Sequence, residues 1–499
     1  MNKRKHFLIT IWYLSIFAFF CFWFTQILPL VVYDTDDWNY IGYVRSAHPI
    51  WGDWNPAKVF PEIIMPFFSS LGRYLLYPLS GDYIGALTIT HAAVVSGFLT
   101  LYVWCLAGML KRLFRISRLH TGLTVVFFLL LHFLFLRISD TDNSYLFNTG
   151  DLNCYYNYLI PGLLNASIVM LLIGNPAMDA FLRSGNWVLR GFFLLLLYLA
   201  IFSNLACSGI LTAYAGSCIL VSLWTHRKRF SPVLIIKENS WHLGILLAWF
   251  ISAVYEMNGG RAQAAGNGGL LHNALDTFTA YSYVLTTSNR YFWYCVLGLC
   301  LTAGIVFFFS RKHGTGEASV RQWVPIWFFA VAALHVYTIL LCASVWPEYI
   351  YRSEYLFAPL FYIILIAALA LGYLFYKFPQ LALAVPLVLL ILISEVNTPG
   401  KTFREPNMSN YDGSVCADIS RDILQQVLEA DRQGLTELDL YIPKHVADLE
   451  QSDNWPHSLG QLQYISKSLY EQGMIHYPII LRGIPSEEFN ERHHLPIPQ

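Results

Sequence analysis

Up to about residue 395 the chain alternates between long apolar runs and shorter polar ones. The apolar runs cover roughly 7–31, 84–110, 121–137, 159–173, 189–203, 207–224, 241–255, 292–310, 324–345, 356–376 and 381–394. At ~1.5 Å rise per residue, about 20 apolar residues cross a hydrocarbon core of ~30 Å as one helix. The pattern predicts eleven membrane spans, several of them short. Only Asn204-Leu205-Ala206 parts the fifth run from the sixth, so the two form either a tight hairpin or one long broken helix.

Beyond 395 the period changes. Thr398-Pro399-Gly400 reads as a linker. From Ser420 to Arg432, Ile423, Leu424, Val427 and Leu428 share one helical face, and Gly434 ends the pattern. Leu438 to Ile442 alternates like a half-buried strand. A second helix falls at 458–472 and a second strand at Tyr477 to Leu481. The expected fold class is an all-α polytopic membrane protein over 1–394 with a small C-terminal α/β domain over 395–499.

Charge placement orients the spans. With the N-terminus inside, seventeen Lys and Arg fall in cytoplasmic segments, including Lys3-Arg4-Lys5, Lys111-Arg112 and Arg227-Lys228-Arg229. The outer loops hold seven: Arg45, Lys58, Arg73, Arg137, Arg261, Arg290 and Arg352. Positive residues stay inside. A ten-span count would invert everything after residue 206 and expose Arg227-Lys228-Arg229, so eleven spans stand, with the C-terminal domain outside. The basic start and long apolar run without a small-residue cleavage site read as an uncleaved first span. A cytoplasmic (inner) membrane location follows.

The long loops, 32–83, 138–158, 256–291 and 346–355, share the outer side. The first contains Phe60 to Leu76, whose prolines, charges and aromatics suit a helix lying in the interface. The third carries Gly259-Gly260-Arg261 and Gly266-Asn267-Gly268-Gly269 and is flexible enough for a substrate lid.

The chemistry gathers where the first span ends, at Tyr33-Asp34-Thr35-Asp36-Asp37-Trp38. Three carboxylates within four positions repel one another, and a binding or catalytic role tolerates that best. Asp34-Thr35-Asp36 and Asp140-Thr141-Asp142 are Asp-x-Asp motifs, of the kind that hold a metal and a nucleotide-sugar pyrophosphate. Both lie outside, where nucleotide sugars are not supplied. A donor delivered through the membrane, a polyprenyl-phosphate-linked sugar, suits that side. A sugar hydroxyl needs a carboxylate to take its proton, for which Asp34, Asp36 and Asp37 are candidates. The leaving phosphate needs a cation. Arg352 and Arg261 are placed for it, followed by Arg45 and Arg73, with Glu348 or Glu354 as an alternative partner for Arg352. Asp142, Asp151, Asn267 and Glu348 are candidate substrate contacts. The histidines show no metal-ligand spacing.

This layout resembles the GT-C superfamily of polytopic glycosyltransferases over roughly residues 1–395. More narrowly it resembles bacterial GtrII/GtrS-type glucosyltransferases and related membrane families. The resemblance rests on Asp36-Asp37-Trp38-Asn39-Tyr40, on Asn148-Thr149-Gly150 and Tyr158-Leu159-Ile160-Pro161, on Gly259-Gly260-Arg261 to Gly266-Asn267, and on Tyr351-Arg352. It implies an inverting transfer with a first-loop acid as general base. In some members it also implies a divalent cation (Mg or Mn), here on Asp34 and Asp36. The implied acceptor is a cell-surface glycan of polysaccharide, O-antigen or teichoic-acid type.

Composition narrows the classes. The 499 residues are 56% hydrophobic and only 13% charged, against about 25% charged in soluble domains. A formal net charge of zero offers no basic excess for nucleic acid. Seven of nine cysteines lie in apolar runs; Cys154 and Cys416 fall in outer polar segments and are the pair a disulfide could join. A polymerase or ligase acting on lipid-linked saccharides, or a transporter or flippase for them, are the alternatives. A transporter should place charge within its spans, and these interiors are nearly free of it.

Overall fold

The computed structural model describes residues 2–42, 56–136, 142–175, 186–229, 231–257, 269–310, 315–397, 402–403, 411–444 and 462–495. Among them the chain is mainly helical. Seven helices are long and apolar enough to cross a membrane: Phe7–Ile27, Tyr83–Phe114, Leu152–Leu172, Leu205–His226, Arg290–Phe309, Gln322–Val345 and Ser353–Lys377. Arg118–Leu134, Trp187–Ile201 and Val385–Val396 are shorter apolar helices. The fifth and sixth apolar runs are two helices, because Phe202 leaves helical geometry and Asn204 caps the next helix through the Ala206 N–H at 2.9 Å.

The chain falls into two compact units. One comprises Met1–Thr100, Thr149–Asn157 and Glu405–Gln499; the other comprises Leu101–Asn148 and Tyr158–Arg404. Residues 405–499 therefore group with the first hundred.

In the first unit a helical stretch runs from Phe60 to Ser80. Pro61, Pro66 and Pro78 each sit in the first turn of a new segment. A proline lacks the N–H that an α-turn needs, and wider turns at Phe60–Ile64 and Gly72–Leu76 absorb the mismatch. Near the C-terminus, strands Glu437–Pro443 and Ile480–Ser486 pair in parallel, with Leu438 opposite Leu481. Leu440 and Ile442 are buried and Tyr441 is exposed, as the alternation requires. The second strand starts three residues later than the sequence pattern suggests. Pro478 has no N–H for the ladder, and the Ile479 N–H is taken by Ser466 Oγ at 2.7 Å. Helix Gly413–Arg432 packs on the first strand with Ile419, Ile423 and Val427 buried.

In the second unit Ser353–Lys377 is the central helix, with 89% of its apolar window buried, against 11% for the peripheral Arg290–Phe309. It packs on Arg118–Leu134, Leu205–His226, Arg290–Phe309 and Thr315–Val345. The glycine-rich loop is only partly a loop. Its residues 258–268 lie outside the described residues, but Leu270–Thr287 is a helix that packs on Thr315–Val345. Thr277, Tyr281 and Val284 form its buried stripe, and Asn273 donates to the Ala343 carbonyl at 3.1 Å. That helical period replaces the flexible lid over this half of the segment.

Candidate functional site

The acids of the first loop build their own helix, Thr35–Gly42. Asp34 stands at its N-cap and accepts from the Asp36 N–H at 3.0 Å. Asp37, three positions on, reaches back to the Asp34 N–H at 3.1 Å. This reciprocal pair is a capping box, and it satisfies donors that a helix start leaves open. Carboxylates in the first turn also suit the positive end of the helix dipole.

Asp37 does more than cap. Its Oδ2 also accepts from the Tyr33 N–H at 3.1 Å, and its Oδ1 from the Asn153 N–H at 2.8 Å. It is fully buried. Burial raises its pKa well above the ordinary carboxylate range, and the charges of Asp151 and Asp34 push the same way. The N–H groups of Tyr33 and Asn153 oppose the rise.

Asp151 belongs to the same cluster, although more than a hundred residues separate it from the first loop. It caps the turn Leu152–Cys154, accepting from the Cys154 N–H at 2.5 Å and from the Cys154 thiol at 3.2 Å. Burial first, then the charge of Asp34 and to a smaller extent that of Asp36, pushes its carboxyl up to about 7, against the pull of the Cys154 donors. Four carboxylates are thus within electrostatic reach of one another. Their environments differ: Asp34, Asp37 and Asp151 are buried, and Asp36 is exposed. Thr35 is buried between Asp34 and Asp36 in the chain, and its Oγ1 has no hydrogen-bond partner among the described residues.

The C-terminal segment holds this helix. Ser468 Oγ donates to the Trp38 carbonyl at 2.5 Å and Gln472 to the Ile41 carbonyl at 2.6 Å, the latter an acceptor that the helix end leaves open. Ser420 Oγ donates to the Val32 carbonyl at 2.9 Å. Gly42 is required by the approach: a Cβ there would stand 2.5 Å from Ser468 Cα. Arg421 adds a two-pronged ion pair to Asp82, at 3.1 and 2.8 Å, which lowers the Asp82 pKa against its partial burial.

The other candidates are placed as follows. Arg73 lies in the first unit, donates to the Gly473 carbonyl at 3.4 Å and stands 4.9 Å from the Tyr77 ring centre. Arg352 lies in the second unit, before helix Ser353–Lys377. Its Nε is 2.7 Å from Oε1 of buried Glu354, and its guanidinium stands 5.7 Å from the Tyr349 ring centre. Glu354 is therefore a partner of Arg352; Glu348 is exposed. The Asp142 backbone pairs with Thr402 in a two-residue parallel ladder. Arg45, Arg261 and Asn267 lie outside the described residues. Cys154 and Cys416 are unbridged thiols, one on Asp151 and the other toward the Tyr411 carbonyl. Among the described residues, no group of three or more His, Cys, Asp or Glu side chains is arranged to hold a metal ion.

Sequence reasoning named the acids but not what fixes them. Asn153, Cys154, Ser420, Ser468 and Gln472 carry no pattern that points to Asp37 or to its helix. Fold and site together define a mainly helical, multi-pass membrane protein with a buried acidic cluster at the end of its first apolar helix. No protein-family model, curated protein or solved structure matches the chain.

Proposed function

We propose that the chain is an integral-membrane glycosyltransferase that moves a sugar from a polyprenyl-phosphate donor to a cell-surface glycan on the outer face of the cytoplasmic membrane. Charge alternation along the sequence supports eleven spans, with residues 395–499 outside. Helix Ser240–Met257 and the three short apolar helices, added to the seven long ones, make up this count if the bilayer thins around the short ones or if flanking side chains reach the interface.

The observation that carries the reading is the division of labour among four neighbouring carboxylates. Asp37 spends both oxygens on three backbone N–H groups, and Asp151 spends both on Cys154. Asp36 is the exposed acid of the group, and we assign it the general base. The acceptor hydroxyl gives its proton to Asp36 as its oxygen bonds to the anomeric carbon. The bond from that carbon to the phosphate oxygen breaks, and the electron pair leaves on polyprenyl phosphate. Magnesium is commonly held by one or two carboxylates together with substrate phosphate oxygens, and with Asp36 as base Asp34 would be the carboxylate to hold it. Of the candidate arginines in described residues, Arg73 shares the unit with the acids.

The test compares surface glycans, by mass spectrometry, from host cells with and without the chain. A mass increment of one sugar that disappears on deletion and on depletion of polyprenyl phosphate is expected. Identical glycans in both strains would remove the reading.

A further inference from the structure

The second unit has a half-open cavity of about 520 Å³ where four of its helices begin or end. Asn204 caps Leu205–His226, Glu256 lies in the last turn of Ser240–Met257, Ser344 in that of Thr315–Val345, and Tyr355 in the first turn of Ser353–Lys377. The lining combines aliphatic side chains with Trp249, Tyr337, Tyr349 and Tyr355. The aromatic faces are fixed. Tyr349 and Tyr355 stack with centres 5.0 Å apart and planes within 8°, and Trp249 meets Tyr337 edge-on at 5.8 Å. The Tyr337 hydroxyl donates to the Leu205 carbonyl at 2.9 Å.

This lining selects a chemical class. Flat aromatic faces take the C–H faces of a pyranose ring, while an amide, a carboxylate and hydroxyls take its hydroxyl groups. Among the described residues no Lys, Arg or His lines the cavity, and the Arg352 guanidinium beside Tyr349 is paired with Glu354. A second cavity in the same unit, about 420 Å³ and lined by Phe114, Phe307, Trp327 and similar apolar side chains, shows what a site for hydrocarbon alone looks like. At 520 Å³ the first lies within the usual range for small-ligand sites, about 300–1,000 Å³. Helix ends rich in aromatic side chains are where membrane–water interfaces usually fall.

We propose that this cavity binds the uncharged sugar head of a lipid-linked saccharide. The lipid linkage rests on the glycosyltransferase reading; the saccharide chemistry rests on the lining. Binding is read without turnover, so failure here and failure of the transferase reading give separate results. The full chain is extracted into polymer-bounded nanodiscs without sugar detergents. Tritiated octyl glycosides of glucose, galactose, mannose and N-acetylglucosamine are then measured by equilibrium dialysis, well below micelle-forming concentrations. Empty nanodiscs provide the blank.

Saturable binding of at least one octyl glycoside is expected, with the matching methyl glycoside at least tenfold weaker. Tyr349→Leu and Glu256→Gln should each weaken it at least tenfold, while Phe328→Leu in the apolar cavity leaves it unchanged. Elution profile and melting temperature identify any variant that misfolds, and the remaining variant then decides. No saturable binding by any octyl glycoside, or unchanged binding in the folded variants, would overturn the proposal. Equal binding of the methyl glycoside would overturn its lipid-linked part.

Discussion

Replacing Asp151 by Asn removes one charge from the acidic cluster while keeping an acceptor for the Cys154 N–H. The folded chain raises this carboxyl from 3.8 to about 7, chiefly by burial and by the charge of Asp34. The folded state therefore holds the proton more tightly than the unfolded chain does. The stability this confers is complete below about pH 4 and is lost as pH rises to about 7. At 1.36 kcal/mol per pKa unit, the ionised group costs on the order of 4 kcal/mol above pH 7. At roughly 2–4 °C per kcal/mol for a unit of this size, Asp151→Asn should melt at least ~5 °C higher at pH 8. The gain should shrink toward zero near pH 4–5, where Asp151 is protonated. The assay is thermal unfolding in nanodiscs, followed by intrinsic fluorescence at one fixed scan rate because membrane proteins commonly unfold irreversibly. An equal loss of stability at both pH values would refute this account of Asp151, since it would mean that the bonds to Cys154 outweigh the buried charge.

Asp37→Asn cannot accept from all three backbone donors, and each buried N–H left open costs about 1–3 kcal/mol. The variant should accumulate poorly in the membrane, whereas normal abundance with lost activity would make Asp37 chemical rather than structural. Gly42→Ala forces Ser468 away from the helix, so proteases should release the C-terminal segment faster; an unchanged digestion pattern would contradict the close approach. Arg352→Lys keeps a charge against Glu354 and should accumulate like the parent, while Arg352→Ala leaves that buried acid without its guanidinium partner and should reduce yield. Normal yield with reduced turnover in Arg352→Ala would return this arginine to a substrate role.

The membrane helices were legible because an apolar run long enough to cross a bilayer is rarely anything but a helix that does so. Each of the eleven runs is helical in the structure, and seven of the helices are long and apolar enough to cross a membrane. The C-terminal strand at Leu440 and Ile442 was legible from alternation, while the next strand shifted because Pro478 and Ser466 intervene. Helix Leu270–Thr287 was missed although Thr277, Tyr281 and Val284 mark its face; neighbouring glycines drew the reading toward a loop. The acidic site divides in the same way. The spacing of Asp34 and Asp37 is that of a capping box and lay open to inspection. Asp151 was named as a substrate contact, but its meeting with Asp37 was out of reach because the two are distant in sequence; Ser468 was out of reach because a single hydrogen bond to a backbone carbonyl leaves no pattern.

The central claim is that Asp36 takes the acceptor's proton. The most direct measurement is the extent of surface-glycan modification in host cells carrying Asp34→Asn, Asp36→Asn or Asp37→Asn, each compared with the parent at equal membrane abundance. A general base contributes about 10²–10⁴-fold, so Asp36→Asn should reduce modification at least a hundredfold per molecule of protein. Full modification by the Asp36→Asn variant would contradict the assignment, and full modification by all three would leave the cluster as a helix cap alone.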